Sequence, residues 1–269
     1  MFAEMSATPG LNPVSFRAIT DQAPHSHTWD AAAKSCSGCH FQSLCLPSGL
    51  SGERLREFGS VVFPHRRLKA GQSLYRSGQT FDAVYLVRTG FVKTVVVLAD
   101  GREQVTGLYM SGEMLGMDGL ASGCHASDAI AVGDSEICVV PYDRLETLSQ
   151  NGREVQRHLH RMFSHEIVRE QRMMLLLGSM RAEERVAAFL LNLSERFTVR
   201  GYSPSAFVLR LTRDEIGSLL GMKLETVSRI FSKFQKASLI EIEGKHVRIV
   251  SIAGLRGVVG GDGHRARGI

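Results

Sequence analysis

The region over residues 61–141 most constrains the fold, because it consists of short segments in which apolar and polar residues alternate. Residues 83–87 and 91–98 are two such segments. Glycines separate the segments, at Gly71, Gly78, Gly90, Gly101, Gly107, Gly112 and Gly116. Short strands with frequent glycine turns are typical of an antiparallel barrel or roll. The pair Asp100-Gly101 predicts a tight hairpin, since glycine accepts the positive φ that such turns require.

A long helix is predicted over residues 153–180, which contain no proline. Apolar residues recur along one of its faces. They are Leu159, Phe163, Ile167, Met174 and Leu177. A helix of this length between two domains favours a dimer interface along that face, and packing against its own sensor domain is the alternative.

Glu170 interrupts this apolar face, three residues after Ile167 and four before Met174. In a parallel symmetric pair, two copies of Glu170 would face each other, and like charges in a partly desolvated interface oppose association. We therefore expect Ile167 and Glu170 to form a dimer switch in which dimerisation is weak. The alternative is that Glu170 lies beside the interface in solvent.

The last third of the chain predicts a winged helix-turn-helix. Thr212 is followed three residues later by Glu215, which makes a capping box for a helix over residues 213–220, and Gly221 ends that helix. The next elements are a second helix and the two strands of a wing, at residues 224–237, 239–243 and 246–250. This order of elements is typical of DNA-binding domains.

Glu225, Ser228 and Arg229 share one face near the start of the second helix, where recognition helices contact base edges. Arginine can donate two hydrogen bonds to guanine, glutamate can accept one from cytosine, and serine can serve either kind of base. From Arg181 onward there are 15 Lys and Arg against 9 Asp and Glu, whereas the preceding residues have 17 against 18. A localised positive charge favours a polyanion such as double-stranded DNA, although charge alone fits a solvated basic face equally well.

Cys36, Cys39 and Cys45 form a C-x2-C-x5-C motif, and Cys124 stands alone in a glycine-rich loop. Cytosolic thiols stay reduced, so clustered cysteines there favour metal binding over disulfides. Four thiolates suit an iron-sulfur cluster, and we expect these four to hold one. Cys138 lies in an apolar strand and is expected to be a buried small hydrophobe and not a ligand. The main alternative is structural zinc in the same four cysteines, although zinc sites usually pair two C-x2-C halves.

These patterns predict an α+β chain in six parts. In order they are a disordered leader at 1–34, a cysteine-rich cluster-binding segment at 35–58, a β-roll sensor domain at 59–148, a dimerisation helix at 149–180, a winged helix-turn-helix at 181–255 and a flexible tail at 256–269. Apolar runs of membrane-spanning length are missing, and the first 30 residues lack a secretion-signal pattern. We therefore expect a cytoplasmic protein with no membrane partner.

Four segments resemble the FNR branch of the CRP/FNR superfamily of bacterial regulators. They are CSGCHFQSLC, DGREQVTGLYMSGEMLGMDGL, AEERVAAFLLNLSERF and LTRDEIGSLLGMKLETVSRIFSKFQ, within residues 34–253. The resemblance implies a cytoplasmic, oxygen-responsive transcription regulator. In that family a [4Fe-4S] cluster supports a DNA-binding homodimer without oxygen and disassembles when oxygen arrives.

The same resemblance implies roles for individual residues. It makes the trio and Cys124 the cluster ligands, and it places the base-contacting E-x-x-S-R triplet of the family on Glu225, Ser228 and Arg229. It also implies a palindrome of TTGAT-like half-sites. Glu170 falls where the dimer helix of the family tends to carry an acidic residue.

The roll sequence also bears on two further partners, RNA polymerase and a cyclic nucleotide. The hairpin tip near Gly101 resembles a surface that contacts RNA polymerase, although Arg102 departs from the acidic residue of some relatives. The sister branch holds a cyclic phosphate with an arginine that follows G-E-[LI]; here residues 116–118 are G-M-D, and residues 103–143 contain neither Lys nor Arg. A cyclic nucleotide is therefore not expected.

A cupin-like enzyme is not expected either, because the metal sites of cupins need histidines and residues 68–123 contain none.

Overall fold

The structure is a computed structural model that describes residues 36–50 and 52–260. Within these residues, two 3₁₀ turns and a short helix come first, eight strands and a long helix follow, and a mostly helical domain comes last. The strands are β1 (Phe63–Leu68), β2 (Ser73–Tyr75), β3 (Ala83–Thr89), β4 (Phe91–Val97), β5 (Glu103–Met110), β6 (Met114–Leu115), β7 (Asp128–Ala131) and β8 (Ser135–Pro141).

These strands form two antiparallel sheets of four strands each, in the orders β1-β8-β3-β6 and β2-β7-β4-β5. β4 and β5 are joined by the hairpin predicted at Asp100-Gly101, where the Leu98 amide donates to the Arg102 carbonyl at 2.8 Å. Inward-facing side chains of both sheets form the core, among them Leu74, Tyr85, Val92, Leu115 and Ile137. The predicted antiparallel roll is confirmed.

The N-terminal segment packs onto the outward-facing side chains of the sheet that contains β3 and β8. It consists of two 3₁₀ turns, Cys36–Gly38 and Gln42–Leu44, followed by helix α1, Gly52–Val61. Leu46 and Phe58 of this segment are buried against the sheet. A second apolar cluster therefore lies outside the roll, and it ties the cysteine-containing turns to one sheet of the roll.

Helix α2, Tyr142–Asn151, leads into the long helix α3, Arg153–Ser179. The first half of α3 packs on its own roll, with Val155 and Leu159 buried. Large apolar side chains in the second half are exposed, at Ile167 (59%), Met174 (65%) and Leu175 (64%). The predicted helix is confirmed, and packing on its own domain accounts for only the first half of its apolar face.

The C-terminal domain has four helices in the described residues and a three-stranded sheet in the order β10-β11-β9. The helices are α4 (Ala182–Val199), α5 (Arg213–Leu220), α6 (Leu224–Lys236) and α7 (Ile252–Gly260). The strands are β9 (Ala206–Val208), β10 (Ile240–Glu243) and β11 (His246–Ile249). Helices α5 and α6 with the β10–β11 hairpin are the predicted winged helix-turn-helix, which confirms the α+β architecture.

Helix α7 corrects the predicted flexible tail at 256–269, because residues up to Gly260 are helical. Glycines within the segment lower its helix propensity, so the sequence carried little helical signal. Packing against α4 buries Leu255 and supplies the missing stability. The predicted leader at 1–34 lies outside the described residues. Among the described helices, none is long and apolar enough to cross a membrane.

Candidate DNA-contacting helix and cysteine site

Helix α6 is positioned by α5 through a capped and tightly packed turn. The Glu215 amide donates to the Thr212 hydroxyl at 3.2 Å, and the Thr212 amide donates to the Glu215 carboxylate at 2.7 Å, which confirms the predicted capping box. Gly217 lies so close to the turn that a Cβ there would meet the Met222 carbonyl oxygen at 2.6 Å. Glycine at this position therefore allows α5 and α6 to approach as closely as a helix-turn-helix requires.

Helix α6 has one buried face and one exposed face. Its buried side chains are Val227, Ile230, Phe231 and Phe234. On the other side, Glu225 and Arg229 are exposed and Ser228 is half-buried, so the three predicted base-contacting residues share a solvent-facing surface. Arg229 makes a long hydrogen bond from Nη2 to the Thr226 hydroxyl at 3.4 Å. Its guanidinium group is therefore oriented along the exposed face without being buried.

A groove runs along the exposed side of α6 and is rich in cations. Its lining residues are Ser228, Arg229, Ser232, Lys233 and Lys236. Lys233 binds both carboxylate oxygens of Glu183, at 2.6 and 2.7 Å, so it orients toward the start of α4. Lys223 before α6 and Lys245 in the wing turn are also exposed. Cations on either side of a recognition helix can contact the phosphate backbone of DNA.

The structure brings four cysteines to the outward-facing surface of one sheet of the roll. Cys36 begins the first 3₁₀ turn, Cys39 follows it directly and Cys45 follows the second; the Cys39 amide donates to the Cys36 carbonyl at 3.2 Å. Cys138 comes from β8, where it pairs with Leu86 of β3. Cys36, Cys45 and Cys138 pack against the same apolar cluster. Cys138 is therefore a neighbour of the predicted ligands, which the sequence reasoning missed.

Burial is the main cause of the raised pKa of Cys36, Cys45 and Cys138, and a neighbouring cysteine is the next cause for each. Burial raises the pKa of Cys45, and Cys138 makes the largest further contribution. Burial also raises the pKa of Cys138 to about 12, with Cys36 and Cys39 adding to the effect. Burial likewise raises the pKa of Cys36, while the Arg88 cation opposes it. Thiols in such a site stay protonated at neutral pH unless a bound cation stabilises the thiolates.

Cys124 does not join this group. It is exposed, and it forms an isolated β-bridge with Thr80, before the start of β3. Cys138 pairs instead with Leu86 in the middle of β3, so the strand separates the two cysteines. The predicted approach of the Cys124 loop to the other three ligands is thus not what the structure shows. Among the described residues, no group of three or more His, Cys, Asp or Glu side chains is arranged to hold a metal ion. Binding of a metal or cluster by these cysteines would therefore require the turns to adjust.

Ile167 and Glu170 both lie on the exposed second half of α3. The Glu170 side chain is 55% exposed, with one carboxylate oxygen 3.5 Å from Arg169 Nη2. Arg169 also binds Glu166, donates to the Tyr109 hydroxyl at 2.5 Å and stacks over the Tyr109 ring at 4.2 Å. These contacts anchor this part of α3 to the roll on one side and leave Ile167 and Glu170 exposed on another.

Both domains match known families. Residues 65–152 match the cyclic nucleotide-binding domain family, and residues 184–258 match the Crp-like helix-turn-helix domain family. Among solved structures, FixK2 from Bradyrhizobium japonicum is similar, with a TM-score of 0.67 and 30% sequence identity, over 74% of this chain and 97% of that one.

Curated relatives cover most of the chain. The transcriptional activator protein FnrA of Stutzerimonas stutzeri is 41% identical over 226 residues, which is 84% of this chain and 93% of that protein. The fumarate and nitrate reduction regulatory protein of Escherichia coli K12 is 36% identical over 214 residues, which is 80% of this chain and 86% of that protein. The similarity therefore extends across both domains and the helix between them.

Proposed function

The chain belongs to the CRP/FNR family of transcription regulators, and from that premise we propose that it regulates transcription in response to oxygen. In this proposal a homodimer binds a palindromic DNA site with TTGAT-like half-sites while a [4Fe-4S] cluster is intact. The matched helix-turn-helix domain and the regulator relatives give it DNA binding as its activity and indicate no catalysis. The observation that supports the oxygen response is that Cys36, Cys45 and Cys138 pack on one apolar cluster beside the roll, with Cys39 close enough to act on Cys138.

We assign the cluster to Cys36, Cys39, Cys45 and Cys138. Four thiolates are the usual ligand set of a [4Fe-4S] cluster, and the position of Cys138 supports it, in place of Cys124, as the fourth. A cluster held there would supply an oxidisable centre. The protein supplies a half-buried apolar surface that limits water access, and the Arg88 cation acts on two of the four thiols, Cys36 and Cys138.

The same apolar cluster extends to the dimerisation helix, which supports a link between cysteines and subunit association. Cys36 and Cys45 pack on the surface that also receives Leu159 and Phe163 of α3. A change in the cysteine turns therefore alters the packing of the first half of α3. The exposed second half, which begins near Ile167, is the surface we assign to a second copy of the chain.

Glu170 lies on this dimer surface beside Ile167, and it is solvated in the single chain. In a symmetric pair its charge would oppose association, so a small stabilisation from the cysteine site could shift the balance toward the dimer. Each subunit of that dimer would then present one α6 to the major groove, with half-sites about 34 Å apart. Glu225, Ser228 and Arg229 are the side chains we assign to the bases.

Two partner assignments concern the roll. Asp118 lies in the G-M-D stretch, and its carboxylate accepts hydrogen bonds from His125 Nδ1 (2.9 Å), the Ala126 amide (3.0 Å) and the Ser127 amide (3.0 Å) and hydroxyl (2.8 Å). A carboxylate held in this way repels a phosphate, so we propose that no cyclic nucleotide binds there.

We also propose that the hairpin at residues 98–102 contacts RNA polymerase. Its tip is exposed, and Arg102 binds Asp100 at 2.7 Å.

Anaerobic purification tests the whole proposal. Iron, acid-labile sulfide, zinc and visible absorption are measured before and after exposure to air, together with retention of a TTGAT-type palindrome and of a scrambled duplex. We expect about four iron and four sulfide per chain, a brown colour that air removes, and loss of the palindrome with the colour. Colourless protein with stoichiometric zinc would establish the structural zinc alternative and would contradict the oxygen response.

A further inference from the structure

The turn at residues 111–113, between β5 and β6, lies between the cysteine turns and the DNA-binding domain. Gly112 has a φ of 87°, and a Cβ there would meet Leu44 Cβ at 3.0 Å, so the turn packs directly on the residue before Cys45. The Gly112 amide donates to the Val87 carbonyl at 2.8 Å, and the Glu113 carbonyl accepts from the Val87 amide at 3.0 Å. The backbone of this turn is therefore held between Leu44 and β3.

The Glu113 side chain is bound by two arginines of the DNA-binding domain. Its Oε1 accepts from Arg196 Nε at 3.0 Å and from Arg200 Nη2 at 2.6 Å, and its Oε2 accepts from Arg196 Nη2 at 2.5 Å. The arginines also bind backbone carbonyls near the turn, Arg200 to Ser111 at 2.7 Å and Arg196 to Leu108 at 2.7 Å. Four charge-assisted hydrogen bonds thus join the end of α4 to this one turn, and a fifth joins it to β5 at Leu108.

The Glu113 carboxylate is ionised in this setting. Burial by itself would raise the pKa of Glu113, but Arg196 and Arg200 hold that pKa below its usual value. Arg200 is itself buried, at 8% exposure. Removing the carboxylate would leave uncompensated positive charge in a poorly solvated place, which is far more costly than losing an exposed ion pair.

Contacts along β4 and β5 complete this interface between the two domains. Lys93 binds Glu215 at 2.5 Å, and the Val105 amide donates to the Ser218 hydroxyl at 2.8 Å. Apolar side chains of the two domains share one cluster, including Val95, Val105, Leu108, Leu219 and Leu220. The DNA-binding domain is therefore docked on its own roll while the contact face of α6 stays exposed.

We propose that Glu113 is a positioning residue that couples the cysteine turns to the DNA-binding domain within a single subunit. Displacement of Leu44 moves the 111–113 turn, and the short bonds to Arg196 and Arg200 pass that displacement to α4. This route runs in parallel with dimerisation through α3. It rests on the proposed function in taking the cysteine turns as the place where the signal arises.

Hydrogen exchange of the full chain, with and without its cluster, tests this coupling. In the wild type, we expect cluster removal to speed exchange of the amides at 193–200 by about tenfold, within the usual range of allosteric couplings. In Glu113→Gln these amides should exchange about tenfold faster with the cluster present and should no longer respond to its removal. Amides at 165–175 report subunit separation in the same experiment.

Asp134→Asn is the matched control, because it removes an exposed ion pair of the roll, to Lys69 at 2.7 Å, and should keep the wild-type response. A Glu113→Gln protein whose 193–200 amides still respond to the cluster as in the wild type would overturn the coupling. So would a wild type in which these amides ignore cluster removal while DNA release continues, an outcome that leaves the proposed function standing.

Two further measurements keep the outcomes separate. Arg196→Lys retains the charge but loses the paired hydrogen bonds, so it should give an intermediate response even if Glu113→Gln fails to fold. A colourless wild type would contradict the proposed function itself. In that case faster exchange at 193–200 in Glu113→Gln than in Asp134→Asn would still show that Glu113 docks the domains, and the assignment of the signal to the cysteine turns would be overturned.

Discussion

The recognition helix and the cysteine site achieve their chemistry by opposite routes. On α6, Glu225, Ser228 and Arg229 lie within five consecutive residues of one helix, on a face that is open to solvent. At the cysteine site, the donors come from two 3₁₀ turns and a strand about 90 residues further along the chain, and burial raises the pKa of Cys138 to about 12. The α6 face is already exposed for contact with DNA, whereas the buried thiols such as Cys138 require a bound cation to become thiolates.

Because of this difference, we expect the two regions to respond differently to mutation. A contiguous exposed surface loses one contact when one residue changes, and the remaining contacts persist. A convergent buried site needs every donor, because a cluster with an open ligand position is exposed to water and oxidant. Substitutions at the cysteine site should therefore act in an all-or-none manner, and substitutions on α6 should act by degrees.

The largest effect is expected at Cys138. Cys138→Ser should abolish the brown colour and reduce bound iron to background, while Cys124→Ser, the matched control in an exposed loop, should retain both. Iron, sulfide and absorption of anaerobic protein measure this. If Cys124→Ser were colourless and Cys138→Ser brown, the fourth ligand would be Cys124 and the contrast between the two regions would weaken.

A graded effect is expected on α6. Arg229→Ala should weaken binding to the palindrome by about 1–3 kcal/mol and relax the preference at one base pair per half-site. Lys245→Ala in the wing is the control; it should weaken binding to all sequences alike and reduce the salt dependence. Competition binding with single-base variants at two salt concentrations distinguishes them. Uniform weakening by Arg229→Ala would make it a phosphate contact.

A smaller effect concerns the helix between the two regions. Glu170→Ala should tighten dimerisation by about tenfold, because two like charges no longer meet, and should allow some DNA binding in air. Glu154→Ala, an exposed acid at the start of the same helix, should leave the monomer–dimer constant unchanged. Sedimentation equilibrium measures both. An unchanged constant in Glu170→Ala would place this residue outside the interface.

The smallest effect is expected at the helix cap that supports α6. Thr212→Ala removes the hydroxyl that accepts a hydrogen bond from the Glu215 amide. It should lower the free energy of unfolding by about 1 kcal/mol. Thr198→Ala, which removes a hydroxyl that donates to the Ser194 carbonyl within α4, should change it by less than about 0.5 kcal/mol. Urea unfolding of cluster-free protein compares the two. Equal losses would show that the local cap adds nothing to the stability of this domain.

Local patterns in the chain predicted most of the fold. Alternation with glycine turns predicted the roll, apolar residues at helical spacing in a stretch without proline predicted α3, and the Thr212 capping box predicted the start of α5. Helix α7 was not predicted, because its glycines weaken the helical pattern. Its stability comes from packing on α4. Each success depended on neighbours within about one turn or one hairpin.

Local sequence was enough to predict the helix-turn-helix and its three base-contacting candidates, since a helix places residues four apart on one face wherever it forms. The position of Cys138 near the N-terminal thiols and the binding of Glu113 to Arg196 and Arg200 depend on tertiary contacts. Strand pairing chooses which face of β8 the N-terminal turns cover, and domain docking chooses which acid the arginines reach. Such contacts join residues far apart in the chain, and no local periodicity encodes them.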